Sequence, residues 1–226
     1  MGYIFGPTWF YGIDYIFDFV SVIVGLLIAY FSYRIYKYTS QKKYIYFSAS
    51  FFLVALSFVC KILATIPVYS KELKVETVGL VTVTSEIIKK VGWVSQFGIS
   101  IARLVTIFAF LLLVLVALKI KDKKIIVLLG YLLIISTTLV SASYTVFHLT
   151  LLIMMSILFL NYRHNYKKMK SFNSKMVMSS FFVLAISQVF FIFEGVAQQF
   201  YVVGESIQLI GYLVLLFAMI KMLIKK

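Results

Sequence analysis

Between Ile125 and Tyr162 the chain reads IIVLLGYLLIISTTLVSASYTVFHLTLLIMMSILFLNY, 38 residues without an Asp, Glu, Lys or Arg. A single α-helix of that length would extend about 57 Å, nearly twice the ~30 Å hydrocarbon core of a bilayer, and ordinary tilt does not absorb the difference. Lys119, Lys121, Lys123 and Lys124 precede the stretch; Arg163, Lys167, Lys168, Lys170 and Lys175 follow it. Connections rich in Lys and Arg stay on the cytoplasmic side, so the number of crossings between two such clusters is even. The stretch is therefore predicted to be two helices that turn over near Ser141-Ala142-Ser143.

The same parity extends outward in both directions. Arg34, Lys37, Lys42 and Lys43 form an earlier basic cluster, and Lys221, Lys225 and Lys226 a final one. About 20 mostly apolar residues make one crossing. The reading is an all-α, polytopic membrane protein forming a single transmembrane domain over 1–226. Its seven spans are expected at about 13–35, 44–67, 92–118, 125–142, 143–162, 176–198 and 203–223. Seven crossings with a cytoplasmic C-terminus place the N-terminus outside, in the cell membrane. The first 13 residues carry no Lys or Arg, as this requires, and they lack the basic n-region of a secretory signal.

Composition agrees. Of 226 residues, 62% are hydrophobic and 13% charged, and the mean hydropathy is +1.01. Soluble domains are nearer half apolar and a quarter charged, which excludes an ordinary cytosolic fold, a disordered chain and a nucleic-acid-binding module. The formal net charge of +14 is mostly topological, because its cations sit between the apolar runs.

The outer connection, about 68–91, has mixed charge and many β-branched residues around Gly79. It reads as a solvated cap containing either a short hairpin over Lys74–Thr84 or a surface helix starting within Ser85–Val91. Tyr30, Tyr33, Tyr36, Tyr38, Tyr44 and Tyr46 fall at the predicted inner boundary, and Trp9, Tyr69, Trp93, Phe200 and Tyr201 at the outer one. There, amphipathic rings serve as headgroup anchors.

Ser50-Phe-Phe-Leu-Val-Ala-Leu-Ser57 matches Ser180-Phe-Phe-Val-Leu-Ala-Ile-Ser187 at five of eight positions. Tyr33-Arg34 matches Tyr162-Arg163, and Gly98-Ile-Ser-Ile101 resembles Gly204-Glu-Ser-Ile207, in the same order. A duplication would make spans 1–3 and 5–7 two parallel three-helix units with span 4 as linker. That layout resembles the three-plus-one-plus-three arrangement of SWEET and PQ-loop carriers and of the KDEL receptor. The resemblance is of layout alone, since the Pro-Gln motif is absent and the only prolines are Pro7 and Pro67.

Charges at membrane depth are costly unless paired or hydrated, so they are the best functional clue. Asp14 and Asp18 fall in the outer half of span 1, Lys61 in the outer third of span 2, Arg103 near the middle of span 3 and His148 in the outer part of span 5. Glu194 and Glu205 fall near the outer ends of spans 6 and 7, with Gln96, Gln188 and Gln208 in the same half. Asp14 and Asp18 share a helix face and need a cation, for which Lys61 and Arg103 are available. Under the repeat, Asp18 falls opposite His148. The expectation is an outward-facing polar cavity with Asp18, Lys61, Arg103, His148, Glu194 and Gln208 as ligand-binding residues, Arg103 for an anionic group and Asp18 or Glu194 for a cationic one. The protein is then a non-enzymatic carrier or receptor for a small polar ligand. The alternative is a structural or regulatory subunit whose intramembrane charges pair helices or a membrane protein partner. If Asp18, Arg103 and Glu194 converge on one solvent-reachable cavity, the ligand reading survives; if they point into different helix contacts or outward, it fails.

Catalytic chemistry has little support. Cys60 is the only cysteine, and His148 and His164 lie at opposite faces, which argues against a disulfide, a metal site or paired haem ligation and leaves no expected cofactor. Ser57 and Lys61 have the spacing of a serine–lysine dyad, but nothing marks an oxyanion hole.

Overall fold

The computed structural model describes residues 7–10, 12–72, 81–120, 122–138 and 144–224. It is all-helical, with α1 (Ile13–Thr39), α2 (Lys42–Glu72), α3 (Val81–Leu118), α4 (Lys123–Thr138), α5 (Tyr144–Met169), α6 (Phe172–Ile192) and α7 (Gln199–Ile224), and short 3-10 turns at Thr8–Phe10 and Phe193–Gly195. Among the described residues, six of these helices, all but α4, are long and apolar enough to cross a membrane. The 38-residue uncharged stretch does divide, into α4 and α5; the turn expected at Ser141–Ser143 lies outside the described residues. Over its 16 described residues, α4 extends about 24 Å.

The region expected as an outer cap at 68–91 is largely helical instead. α2 continues to Glu72 and α3 begins at Val81, so the second half of the hairpin expected over Lys74–Thr84 is the first turn of α3; its first half, within 73–80, is outside the described residues. The apolar β-branched run there is compatible with helix once it continues a 38-residue helical segment.

Three connections at the basic end are short. The chain passes from α1 to α2 through Ser40 and Gln41, from α3 to α4 through 119–122, and from α5 to α6 through Lys170 and Ser171. Each begins with a left-handed residue, Ser40 (φ 54), Lys119 (φ 57) or Lys170 (φ 47), the conformation that closes a helix C-terminus by returning an N–H to its last turn. Ser40 N–H donates to the Tyr36 carbonyl at 2.8 Å and Lys170 N–H to that of Tyr166 at 2.8 Å. Ser171 then caps α6, its hydroxyl accepting from Ser174 N–H at 3.2 Å. Lysines here also meet the negative end of the helix dipole.

The helices form a closed ring. α1 packs on α2, α2 on α3, α3 on α5, α5 on α6, α6 on α7 and α7 back on α1, while α4 lies outside against α3 and α5. Phe51, Phe110, Phe181, Leu184, Tyr212 and Leu215 fill the core, and Phe51 and Phe58 meet Tyr212 edge to face at 6.3 and 6.0 Å. The outward faces remain apolar, with Phe52, Leu63, Phe97 and Val127 exposed, as a surface solvated by lipid requires.

Lipid solvates apolar side chains as well as another helix does, so close approach at small residues contributes much of the packing. Gly25 lies where an added Cβ would be 3.2 Å from Ala55 Cβ, and Gly98 where it would be 2.6 Å from Ala64 Cβ. Gly98→Ala therefore pushes α3 away from α2, with no flexible side chain to yield, and an overpacked contact of this kind costs about 1–3 kcal/mol. Thermal unfolding of the purified protein in detergent should show a lower midpoint for Gly98→Ala and no change for Gly195→Ala, where nothing lies within 4 Å.

Candidate functional site

One end of the ring, opposite the basic turns, concentrates the polar side chains. The Lys61 ammonium of α2 lies 2.9 Å from Asp18 Oδ1 of α1 and 2.8 Å from Glu205 Oε1 of α7, and it donates to the Tyr201 hydroxyl at 3.2 Å. An ammonium has three N–H donors, and these partners use all of them. Asp18 and Glu205 are buried at 1% and 5% exposure while the Lys61 side chain is 24% exposed, so the triad joins three helices with its two carboxylates out of bulk water. The Tyr201 ring also lies 5.7 Å from the ammonium.

Asp14 shares the face of Asp18 but has a different role. Its Oδ1 accepts from the backbone N–H of Gly12 at 2.9 Å and of Tyr15 at 3.0 Å, where the positive end of α1 favours a carboxylate.

Beside the triad, α2, α3, α5, α6 and α7 enclose a cavity of about 100 Å³. Ser57, Lys61 and Thr65 line it from α2, and Ala102, Arg103 and Thr106 from α3. Opposite them stand Tyr144, Phe147, His148 and Leu151 of α5, Gln188 and Phe191 of α6, and Tyr201, Glu205, Gln208 and Tyr212 of α7. Most of the wall is apolar or aromatic, with a few convergent polar groups, the usual make-up of a small-molecule site. The Arg103 guanidinium lies 5.6 Å from the Tyr144 ring and 5.7 Å from that of Phe147, within cation–π range.

His148 faces the cavity as a neutral counterpart to the triad. Its Nδ1 is 2.8 Å from Gln188 Oε1, and Gln188 Nε2 donates to the Ser187 hydroxyl at 3.1 Å. This network assigns the proton of a neutral ring to Nδ1 and leaves Nε2 as an acceptor. The ring stacks on Phe191 with centroids 4.6 Å apart. Gln208 donates to the Tyr212 hydroxyl at 3.2 Å.

Of the six residues expected from sequence, Lys61, Arg103, His148 and Gln208 line this cavity. Asp18 stands behind Lys61 and reaches the wall only through it. Glu194 lies in the 3-10 turn after α6, off the wall, beside the Tyr144 hydroxyl. The carboxylate that does face the cavity is Glu205. Its depth was readable, but which face of α7 it occupies depends on packing. Tyr201, expected as an interfacial anchor, is 3% exposed and bonded to Lys61; the side chains of Tyr69 and Trp93 lie outside the described residues. Trp9, Tyr30, Tyr33, Tyr38 and Tyr46 are exposed, as anchors should be.

Ser57 and Lys61 are not arranged as a dyad, since the Ser57 hydroxyl donates to the Val54 carbonyl at 2.7 Å and Lys61 to the triad. Cys60 is partly buried. Among the described residues, no three His, Cys, Asp or Glu side chains gather to hold a metal ion. No protein family, characterised protein or solved structure matches the chain.

Removing Lys61 leaves two buried carboxylates facing each other. Lys61→Met is expected to cost about 3–5 kcal/mol, the range for breaking a buried pair from one side. Replacing all three charges together, with Asp18→Asn, Lys61→Met and Glu205→Gln, should recover much of that loss. Detergent unfolding midpoints of the single and triple variants test this; equal losses in both would mean that the lysine acts through packing alone.

Proposed function

We propose that the protein is a seven-span membrane protein whose intramembrane cavity opens to the outside and binds a small polar ligand, as a carrier or a receptor without enzymatic activity. The N-terminus lies outside and the C-terminus in the cytoplasm of a cell-membrane protein, because the short basic turns gather at one end of the ring and the cavity at the other. In this reading α4 is the seventh crossing. It begins in the same basic connection that ends α3, and α5 returns to the basic end, which requires α4 to reach the far side.

The observation that carries the reading is the cavity itself. Lys61, Arg103, His148 and Gln208 come from four helices and line one space, an arrangement that helix pairing alone does not need. Asp18 and Glu194 do not join Arg103 on this wall, so the site fails in the form expected from sequence, and the triad favours the alternative in part, since it joins α1, α2 and α7 in the way a structural subunit would use its charges. It serves the ligand reading equally by holding Glu205 on the wall.

The order of contacts in the ring supports the duplication read from the sequence. Exchanging α1 with α5, α2 with α6 and α3 with α7 turns every ring contact into another ring contact, with α4 as the linker outside. Gly98 and Gly204, aligned in the repeat, both face the middle helix of their own unit, against Ala64 and Phe191. The register that aligns Ser50 with Ser180 places Lys61 on Phe191 and Asp18 on His148, and the glycine register places Glu205 on Ile99. The charged triad of one seam is therefore replaced at the other by His148, Phe191 and Ile99.

Water access tests the cavity without knowledge of the ligand. In a Cys60→Ser background, Thr106→Cys should react with a small, membrane-impermeant methanethiosulfonate applied from outside to intact cells. Failure to react there, with a reactive control cysteine at Trp9, would overturn the outward-facing cavity. Native mass spectrometry of the wild type should also show a bound small molecule that Arg103→Ala reduces at least tenfold.

A further inference from the structure

The seam between α1 and α2 carries a groove of about 400 Å³ that faces away from the core of the ring. Leu26, Tyr30 and Tyr33 flank it from α1, and Ile45 and Phe52 from α2, all of them exposed. Between these flanks the wall is only Ala29, Ser48 and Ala49, and the Ser48 hydroxyl is turned to the Ala29 carbonyl at 2.8 Å. Leu26 is the middle residue of α1, and from there to Tyr33 the helix rises about 10 Å. The groove therefore runs from mid-membrane towards the basic end, within the ~15 Å that one leaflet contributes to the hydrocarbon core. That is the course of an acyl chain.

Both tyrosines of the groove carry a cation one turn nearer the basic end. Arg34 donates from Nη1 to the Tyr30 hydroxyl and from Nη2 to the Tyr38 hydroxyl, each at 3.1 Å, with its guanidinium 5.9 and 5.7 Å from the two rings. The Lys37 ammonium lies 5.9 Å from the Tyr33 ring. Two of the five guanidinium N–H donors hold Arg34 in place, and the others are presented to the headgroup region in a fork that suits a phosphate. Lys42 and Lys43 follow in the first turn of α2. Residues 19–71 contain no Asp or Glu, so neither helix supplies a carboxylate at this end. Asp122, the one acid of the basic turns, belongs to the α3–α4 connection and accepts from the Lys124 N–H at 2.9 Å.

We infer that this groove binds an anionic phospholipid, with one acyl chain lying along it from Tyr33 to Phe52 and the phosphate meeting Arg34 and Lys37. An acyl chain alone accounts for the groove but not for the cations mounted on its tyrosines. A free phosphate accounts for the cations but not for the groove. A zwitterionic headgroup would bring its own ammonium to a place where Arg34, Lys37, Lys42 and Lys43 gather and their own helices offer no acid, whereas a headgroup with net negative charge gains from each of them.

Two lipids with the same chains separate the headgroup from the groove: dioleoyl phosphatidylglycerol and dioleoyl phosphatidylcholine, titrated into the purified full chain in detergent and read by native mass spectrometry. The wild type should bind the anionic lipid at least about tenfold more tightly, the scale that two interfacial basic residues set. Arg34→Gln with Lys37→Gln should abolish that preference. Lys167→Gln with Lys168→Gln removes the same charge from exposed positions at the same end of α5 and should leave it intact. Ala49→Phe fills the groove without touching a charge and should weaken the anionic lipid about as much as the loss of both cations. Glycerophosphoglycerol, the headgroup without its chains, should not displace the lipid. Equal binding of the two lipids by the wild type overturns the inference whether or not any variant folds. Equal losses in the two double variants overturn it in favour of a diffuse basic surface. Unchanged binding by Ala49→Phe, or displacement by glycerophosphoglycerol, overturns it by showing that the phosphate alone is held.

Discussion

An ammonium ion held between two carboxylates, inside a bundle built for hydrocarbon, is the contact on which the site depends. Isolated, each of these charges would be prohibitively costly at that depth; together with the Tyr201 hydroxyl the two carboxylates satisfy all three lysine donors. Because Asp18 belongs to α1, Lys61 to α2 and Glu205 to α7, the contact also closes the ring where its first and last helices meet. The packing around it is largely nonspecific by comparison, since apolar side chains find lipid and protein equally congenial. What selects one arrangement of helices is the set of close approaches at Gly25, Gly98, Gly204 and Gly211 and the polar contacts that cannot be made elsewhere. Ser48 donating to the Ala29 carbonyl and Asn161 to that of Ala117 are further examples between neighbouring helices.

The helical membrane class was legible in the sequence because the bilayer imposes a length on each apolar run, and Lys and Arg mark where runs end. The division of Ile125–Tyr162 followed from that length alone. Of the two readings of the connection at 68–91, the hairpin failed at 81–84 because β-branched residues favour strands only when no neighbouring helix recruits them, and the helix expected within Ser85–Val91 begins earlier because nothing local reports that α3 will extend back to Val81. Helix ends elsewhere differ by a few residues for a related reason: polar residues such as Lys42 and Lys168 continue a helix into the headgroup region beyond its apolar part.

The site was half legible. Depth along a helix can be counted from its ends, so the gathering of Lys61, Arg103, His148 and Gln208 at one level followed from the sequence. Azimuth cannot be counted when a helix is apolar all round, because the 3.6-residue period carries no signal to fix its facing side. That is why Glu205 was recognised as membrane-embedded but not as the wall carboxylate, and why Tyr201 passed for a headgroup anchor. Asp18 and Lys61 were each identified, but the direct contact between them required the packing of α1 on α2.

The asymmetry between the two seams has a consequence for how such a ring can arise. Two separate copies of one three-helix gene product would assemble with identical seams, both charged or both neutral, and with two equivalent walls. In the duplication proposed above, joining the copies through α4 frees each half to mutate alone, so one seam can keep Asp18, Lys61 and Glu205 while the other turns to His148, Phe191 and Ile99. A homodimeric ancestor would surround the cavity with two equivalent walls; in the fused chain proposed here the two walls differ.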